Sequence, residues 1–491
     1  MTEEESNESR PRSRGRRQRR RWVAIVLTCA QVIGALTSVH ALMSVRTPQG
    51  SIAWIISLNT APLIAVPAYW VLGRNEFKGY VLARQTEDED LRDEVAEAMP
   101  ALAPFFADLS SDKGSIEAAE RLAMLPFFSG NDVELLIDGQ ATFDSILAGM
   151  DKAEEYLLVQ FFIVKDDTIG RRLKERMLKK AAEGVKVLFL YDEIGSHKLP
   201  KSYVSDLRNG GVQARAFHST QGRGNRFQLN FRNHRKIVIA DGRTAWIGGH
   251  NVGDEYVDGH PTLGHWRDTH VRITGPAVMA VQVSFSEDWN WATGEEPELT
   301  WEPVASPSGD VPVLILPSGP ADGIETASLM YQQLIHAAAD RVWIASPYFV
   351  PDEGVMGALY LASLRGVDVR ILIPDQPDHL LVYLAAYAFL KPMLAAGTEV
   401  YRYETGFMHQ KVFLVDDVAS GIGTVNLDNR SFRLNFEITA VIVDAAFTAE
   451  VESMLRKDFA ASRLMTIEDV DNKSYAFRVF ARASYLAAPI L

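Results

Sequence analysis

The sequence has almost no cysteine. Cys29 is the single one among 491 residues, which excludes disulfide scaffolds, cysteine-based zinc sites and thiol redox pairs, and fits a reducing compartment. Excess positive charge is also missing. With 50 Lys and Arg against 63 Asp and Glu the chain stands at −13, so binding of nucleic acid through bulk charge is disfavoured and any phosphate must be held locally. No G-x4-G-K-[ST] loop occurs, and Gly222-Arg223-Gly224 does not extend to a dinucleotide fingerprint, so no nucleotide cofactor is expected. What is present is ordinary for folded protein: 47% hydrophobic and 23% charged residues, enough for a sizeable core, in a length that suggests about three units.

Charge is absent from two long stretches. Trp22 to Val45 and Ile52 to Leu72 contain no Asp, Glu, Lys or Arg, and each reaches the ~20 residues that span hydrocarbon. Before them, eight arginines between Arg10 and Arg21 against four glutamates leave residues 1–21 at +4 and the remainder at −17. Arg74, Lys78 and Arg84 follow the second stretch, while the short connection carries only Arg46. Positive charge stays on the cytoplasmic face, so residues 22–72 are expected to form two transmembrane helices, entering and returning, with a basic cytoplasmic tail and everything after about residue 73 in the cytoplasm. A cleaved signal peptide ending near Val39-His40-Ala41 is the alternative; the apolar run is longer than such peptides need and a second one follows.

Residues 73–129 mix acidic clusters such as Glu87 to Asp90 with apolar groups such as Phe105-Phe106, and are expected to form a connecting helical region. Beyond them strands and helices alternate. Tyr156 to Val164 and Val185 to Tyr191 have the composition of buried strands, with a helix over Arg171 to Ala182 between them. The order recurs as Arg341 to Phe349, Gly354 to Leu364 and Gly366 to Pro374. A repeat near 180 residues is a duplicated domain rather than a solenoid. The halves are placed at 130–305 and 306–473, meeting face to face.

Each half carries one H-x-K-x4-D motif. His234-Arg235-Lys236 leads through Ile237-Val238-Ile239-Ala240 to Asp241, and His409-Gln410-Lys411 through Val412-Phe413-Leu414-Val415 to Asp416. The apolar, β-branched gap predicts a buried strand, and alternation puts His and Lys on one face, turned into a cleft between the halves. Gly248 and Gly423 each follow their His by 14 positions, Asn251 and Asn426 by 17, and Asp268 and Glu437 occupy comparable places on a later strand. One copy is a weak motif; two in matching positions with equal offsets are not a coincidence.

These residues closely resemble the phospholipase D superfamily, whose hallmark is the paired HKD motif, and within it the bacterial cardiolipin synthase branch. The resemblance rests on Gly248-Gly249-His250-Asn251-Val252-Gly253-Asp254-Glu255-Tyr256, Trp266-Arg267-Asp268-Thr269-His270, Pro347-Tyr348-Phe349-Val350-Pro351, Gly423 through Ser431 (GTVNLDNRS) and Asn435-Phe436-Glu437, and covers essentially the whole chain. The arginine-dense tail departs from the pattern and bears on membrane attachment alone. The resemblance implies an α/β fold: a duplicated phospholipase D-like sandwich with mixed sheets flanked by helices, one shared active site at the interface of the halves, and an N-terminal transmembrane hairpin. It implies His234, Lys236, Asp241, His409, Lys411 and Asp416 as the catalytic set, with Asn251, Asn426, Asp268 and Glu437 around the substrate, and no cofactor or metal. Asp241 and Asp416 are expected to support this constellation from outside it.

The chemistry fits the residue types. An anionic phosphodiester, attacked without metal, needs a neutral nucleophile, positive charge on its nonbridging oxygens and a proton for the leaving alcohol. Two facing histidines divide that labour, since charging one discourages charging the other. Asp268 and Glu437 are expected to fix the far ring nitrogens, and Lys236, Lys411, Asn251 and Asn426 to cradle the phosphoryl oxygens. The resemblance implies a phosphatidyl-histidine intermediate. We take His234 as nucleophile and His409 as general acid and base, a choice that the symmetry of the two motifs leaves open. The implied reaction joins two phosphatidylglycerols into cardiolipin and glycerol at the inner membrane, with anionic phospholipids as partners and no nucleic acid. Hydrolysis of phospholipid by water uses the same residues, and phosphatidylethanolamine is an alternative for one substrate.

Three other features have simpler explanations. Asp241-Gly242-Arg243-Thr244-Ala245 resembles the opening of the CDP-alcohol phosphotransferase motif but lacks its later acidic residues. His250, His260, His265 and His270 share no regular ligand spacing, so a metal is not expected. Residues 474–491 carry Arg478 and Arg482, no acids and many apolar residues; a basic amphipathic helix in the membrane interface and packing on the soluble domain are equal alternatives.

Overall fold

The computed structural model describes residues 12–73, 77, 80, 99–109, 113–217 and 230–491. They belong to two compact units, Met1–Phe77 with Gly222–Asn230, and Lys78–Gln221 with Phe231–Leu491. The first eleven residues, the acidic cluster Glu87 to Asp90, the flanking Arg74, Lys78 and Arg84, and Gly222-Arg223-Gly224 lie outside the described residues.

In the first unit the arginine run continues without a break into α1 (Arg12–Ser44), whose uncharged portion from Trp22 onward is about 34 Å long at 1.5 Å per residue. Among the described residues it is the one helix long and apolar enough to cross a membrane by itself. The second charge-free stretch does not form a single helix. It divides into α2 (Pro48–Thr60) and α3 (Pro62–Leu72) at Ala61, which takes φ −136° and ψ 56°. Pro62 is the cause: it has no N–H to give and it disfavours the helical region for the residue before it. The pieces nevertheless pack on α1. A side chain at Gly34 would overlap the Leu58 carbonyl, Asn59 Nδ2 donates to Ser38 Oγ at 2.8 Å, and His40 Nδ1 lies 2.7 Å from the Tyr69 hydroxyl. Small residues and interhelical hydrogen bonds of this kind hold helices together where apolar burial cannot.

The second unit is built on one long sheet. Its first half contributes β1 (Phe128–Ile137), β2 (Tyr156–Phe161), β3 (Lys186–Asp192), β4 (Gln213–Phe217), β5 (Arg232–Asn233), β6 (Ile237–Ala240), β7 (Thr244–Gly248), β8 (Trp266–Arg267) and β9 (Thr269–Thr274). The second contributes β10 (Val311–Ser318), β11 (Arg341–Ala345), β12 (Phe349–Val350), β13 (Asp368–Pro374), β14 (Glu399–Tyr403), β15 (Phe407–Met408), β16 (Val412–Val415), β17 (Ala419–Gly423), β18 (Leu427–Asp428), β19 (Asn435–Val443) and β20 (Ser462–Leu464). In space the order is β1-β9-β7-β6-β2-β3-β4 in one half and β10-β19-β17-β16-β11-β13-β14 in the other, with β20 added at the far edge. The strand orders correspond one to one, so the repeat inferred from composition is a repeat of topology.

In both halves the three outer strands are parallel and the remainder antiparallel. Parallel neighbours require helical crossovers, supplied by Thr168–Ala182 and Lys201–Asn209 in one half and by Glu353–Leu364 and Leu380–Ala395 in the other. Each half keeps its own apolar core, around Leu157, Phe189 and Trp246 in the first and around Ile344, Ile371 and Leu390 in the second. The halves do not simply stack face to face: they join edge to edge through antiparallel β1 and β10, at Phe128–Val313 and Asn131–Val311. They then exchange two short strands. β5 pairs with the start of β19, and β15 with β8.

Candidate active site

The exchanged strands carry the histidines. β5 ends one residue before His234 and β15 one residue before His409, so each motif is delivered against the other half's strand. The His234 N–H donates to the Phe436 carbonyl at 2.9 Å, and the His409 N–H to that of Arg267 at 2.7 Å. In each case the next residue on the accepting strand bears the carboxylate that orients the ring. His234 Nδ1 lies 3.0 and 2.8 Å from the two Glu437 oxygens, and His409 Nδ1 lies 2.7 Å from Asp268 Oδ2. Both pairs cross between halves, and all four side chains are buried. Gly248 and Gly423 permit this approach: a side chain on either would overlap the backbone carbonyl of Thr269 or Ile438 beside the carboxylate.

The lysines share the face expected of them. Lys236 Nζ donates to the His234 carbonyl at 2.6 Å, and Lys411 Nζ lies 3.0 Å from His409 Nδ1. Between them Arg235 and Gln410 turn the other way. Arg235 binds Asp288 at 2.9 Å, joined by Gln160 and Asn233, and Gln410 binds Asp458 at 2.8 Å, which also takes Arg267 at 2.8 and 3.0 Å. Asp288 and Asp458 therefore clamp the middle residue of each H-x-K triplet, holding His and Lys toward the cleft. Sequence comparison of the halves missed these two aspartates because they follow their histidines by 54 and 49 positions, unequal offsets.

Burial sets the electrostatics. It pushes the His234 imidazolium down to about 4 despite Glu437, and pushes His409 well below the usual histidine range, with the Lys411 and Lys236 charges adding to the effect. Lys236 is driven well down and Lys411 to about 8, again by burial. Burial raises Asp268. Glu437 sits below the usual range because His234 and Lys236 outweigh its own burial. The site thus presents two ring-oriented imidazoles and two dehydrated lysine amino groups that gain protons when an anion enters, an arrangement suited to a single anion.

Asp241 and Asp416, expected to support the constellation from outside it, stand at the far ends of the motif strands. A four-residue strand of about 13 Å separates each from its Lys. Asp241 accepts from the backbone N–H groups of Glu154, Glu155 and Tyr156, each at 2.8 Å, and Asp416 from those of Ala339, Asp340 and Arg341 at 3.0, 2.9 and 2.8 Å. Both stand at positive φ, 53° and 51°, in the turn that leads to the next strand. Each fastens the motif strand to the start of β2 or β11, so its support is mechanical.

The two asparagines differ. Asn251 accepts from the Ile163 N–H at 3.1 Å and donates to the Tyr256 hydroxyl at 2.8 Å, whereas Asn426 Oδ1 is buried with no hydrogen-bond partner among the described residues. Aromatic rings complete the walls. Phe162 meets His234 edge-on at 5.0 Å, and Tyr256 and Trp266 lie 5.8 and 5.7 Å from His409. Tyr348 donates to Asp378 at 2.6 Å. Of the four clustered histidines, His250 and His270 form a buried pair, Nδ1 to Nδ1 at 2.9 Å, while His265 turns to Asp138 at 3.1 Å and His260 bonds locally to Thr262.

The family model described as cardiolipin synthase, PLD-like domain, matches residues 146–289 and 331–459. Cardiolipin synthase A of Pseudomonas putida is 49% identical over 471 residues, covering 95% of this chain and 97% of the relative. The chain belongs to the cardiolipin synthase, PLD-like family. Cardiolipin synthase A of Pseudomonas aeruginosa (strain LESB58) is 47% identical over 474 residues, 96% of each chain. In this member of the cardiolipin synthase family the two matched segments contain both H-x-K triplets, both orienting carboxylates and both clamping aspartates. The fold is shared with phosphatidylserine synthase of Haemophilus influenzae Rd KW20, whose solved structure aligns over 77% of this chain and all of its own with a TM-score of 0.58 at 16% identity.

Proposed function

We propose that this cardiolipin synthase family member transfers a phosphatidyl group from one phosphatidylglycerol to another through a phosphohistidine, giving cardiolipin and glycerol. The observation that carries this reading is the crossed pair of carboxylate-oriented histidines flanked by two buried lysines. Glu437, ionised, accepts a hydrogen bond from the His234 Nδ1–H, keeping the proton on that nitrogen and leaving the Nε2 lone pair free to attack phosphorus. Lys236, Lys411, Asn251 and Asn426 hold the nonbridging oxygens. As the His234 N–P bond forms and the glycerol C–O–P linkage breaks at P–O, His409 gives its proton to the departing glycerol oxygen. A hydroxyl of the second phosphatidylglycerol then gives its proton back to His409 and attacks phosphorus, and the P–N bond breaks. One phosphodiester replaces another, so no energy-rich co-substrate is required.

An anionic substrate also explains how His409 becomes an acid in a site that disfavours its charge. The phosphodiester brings a negative charge beside His409, Lys236 and Lys411, and raises the proton affinity of all three. We place the enzyme in the inner membrane as a multi-pass protein with the catalytic unit cytoplasmic, a reading supported by the arginine run that opens α1 and by the uncharged helices after it. Purified protein incubated with headgroup-labelled and acyl-labelled phosphatidylglycerol should yield cardiolipin and free glycerol in equal amounts. Phosphatidic acid as the sole lipid product would replace the transferase with a hydrolase.

A further inference from the structure

The helix Tyr475–Tyr485 is apolar on two sides. Its inner side is used within the second half: Phe477 meets Tyr387 edge-on at 4.8 Å, Tyr485 meets Phe389 at 5.3 Å, and Ala481 and Ser484 are buried. Its outer side faces solvent, with Phe480 63% and Leu486 81% exposed, and Tyr475 and Val479 exposed beside them. The segment therefore packs on the soluble domain through one side and leaves apolar residues uncovered on the other. Exposed Arg478 and Arg482 accompany the apolar side chains, while the Lys473 ammonium lies over the inner rings of Tyr387 and Phe477, and no Asp or Glu follows Asp471 in the sequence.

The helix on which this one packs, Leu380–Ala395, opens with two more exposed apolar residues, Leu380 (65%) and Leu381. The residues just before them line the catalytic cleft. Asp378 accepts the Tyr348 hydroxyl, the His379 ring lies 6.1 Å from that of Tyr348, and the charges of Asp378 and His379 act on Lys411 and His409. An apolar rim thus stands at the cleft mouth and belongs to the same helix that carries the apolar, acid-free C-terminal helix. Scattered exposed leucines are ordinary, but a grouped set interleaved with arginine and lacking acids matches the chemistry of a lipid leaflet: anionic headgroups outside, acyl chains beneath.

We propose that the outer side of Tyr475–Tyr485, together with the Leu380–Leu381 rim, docks on an anionic bilayer. Arg478 and Arg482 meet the headgroups, and Phe480, Leu486, Leu380 and Leu381 enter the acyl boundary, setting the cleft where a phospholipid leaves the leaflet. The substrate class rests on the transferase reading; the docking does not.

The test uses the full chain with Cys29→Ala and Phe480→Cys, the new thiol labelled with an environment-sensitive fluorophore, in nanodiscs of phosphatidylglycerol or phosphatidylcholine. Docking predicts blue-shifted emission quenched by doxyl-labelled lipid, more strongly in phosphatidylglycerol. Water-like emission untouched by doxyl lipid overturns the proposal, as does cross-linking of two copies through position 480 without quenching. In a second arm, the double variant Phe480→Glu with Leu486→Glu should lose about tenfold in turnover on phosphatidylglycerol vesicles and stay within about twofold on detergent-dispersed lipid. Equal losses in both overturn docking. If the unaltered chain forms no cardiolipin, the transferase reading fails while the quenching still decides the docking.

Discussion

His234 and Glu437 are separated by 203 positions in the chain and by 2.8 Å in space, and the contact joins opposite halves of the duplicated fold. The carboxylate fixes which ring nitrogen carries the proton, so replacing it with an amide of the same shape should spare binding and damage chemistry. Glu437→Gln is expected to lower kcat by about 10²–10⁴ with little change in KM, as when a carboxylate orienting a catalytic histidine is lost. Steady-state kinetics on phosphatidylglycerol would measure it. A rise in KM alone would mean that Glu437 contacts substrate instead.

Because the two motifs are near copies, the division of labour between the histidines shows only in the intermediate. With His234 as nucleophile, His234→Ala should form no acid-labile lipid adduct. His409→Ala should form the adduct slowly and release it more slowly still, so that adduct accumulates on acid-quenched protein. Mass spectrometry of peptides from both variants decides the point, and the opposite pattern would exchange the roles.

Much of this was legible in the sequence because strand alternation and a repeated motif both report on local geometry. Ile237 to Ala240 and Val412 to Val415 form the expected strands, and Lys236 and Lys411 turn to the side of their histidines. Three things were hidden. The exchange of β5 and β15 is a matter of tertiary connection, so nothing near His234 signals that its carboxylate comes from the other half. Asp288 and Asp458 lie on helices reached through insertions of unequal length, which erase the common offset. The break at Ala61 was visible in Pro62, but a proline in an uncharged stretch is equally compatible with a kinked continuous helix.

Asp241 and Asp416 give a prediction opposite in kind to that for Glu437. Each carboxylate receives three backbone N–H groups in a turn with positive φ. Removing such an acceptor costs stability on the order of 1–2 kcal/mol, since hydrogen bonds to a charged group exceed neutral ones, while two of the three N–H groups are exposed and turn to water. Asp241→Ala should therefore lower the melting temperature, while protein that remains folded keeps a kcat within a few-fold of the original. Asp241→Asn, which tolerates the left-handed backbone and keeps one acceptor oxygen, should lose less. A large fall in kcat at unchanged melting temperature would return Asp241 to the catalytic set.

Lys411 supplies the pH dependence. Burial brings its ammonium down to about 8, so the charge that holds the phosphodiester is present below that pH and is lost as pH rises through it. In the profile of kcat/KM, which reports the free enzyme, His409 as general acid sets the first alkaline limb below the usual histidine value, and loss of the Lys411 charge steepens the fall near 8; in that of kcat both move to higher pH, because bound substrate returns negative charge to the site. His234, neutral above about 4, sets the acidic limb of the free enzyme far below the usual histidine value. Stability moves the other way. The unfolded lysine titrates near 10.5, so between about 8 and 10.5 the unfolded chain binds a proton that the folded one does not, and this group's contribution to stability rises with pH. Loss of the Lys411 charge therefore does not weaken the fold above pH 8, and a melting curve at pH 9 separates an activity loss there from unfolding. Lys411→Arg keeps its charge throughout and should abolish the steepening near 8, at some cost in maximal rate from the altered geometry. A profile that still steepens near 8 in that variant would assign the step to another group.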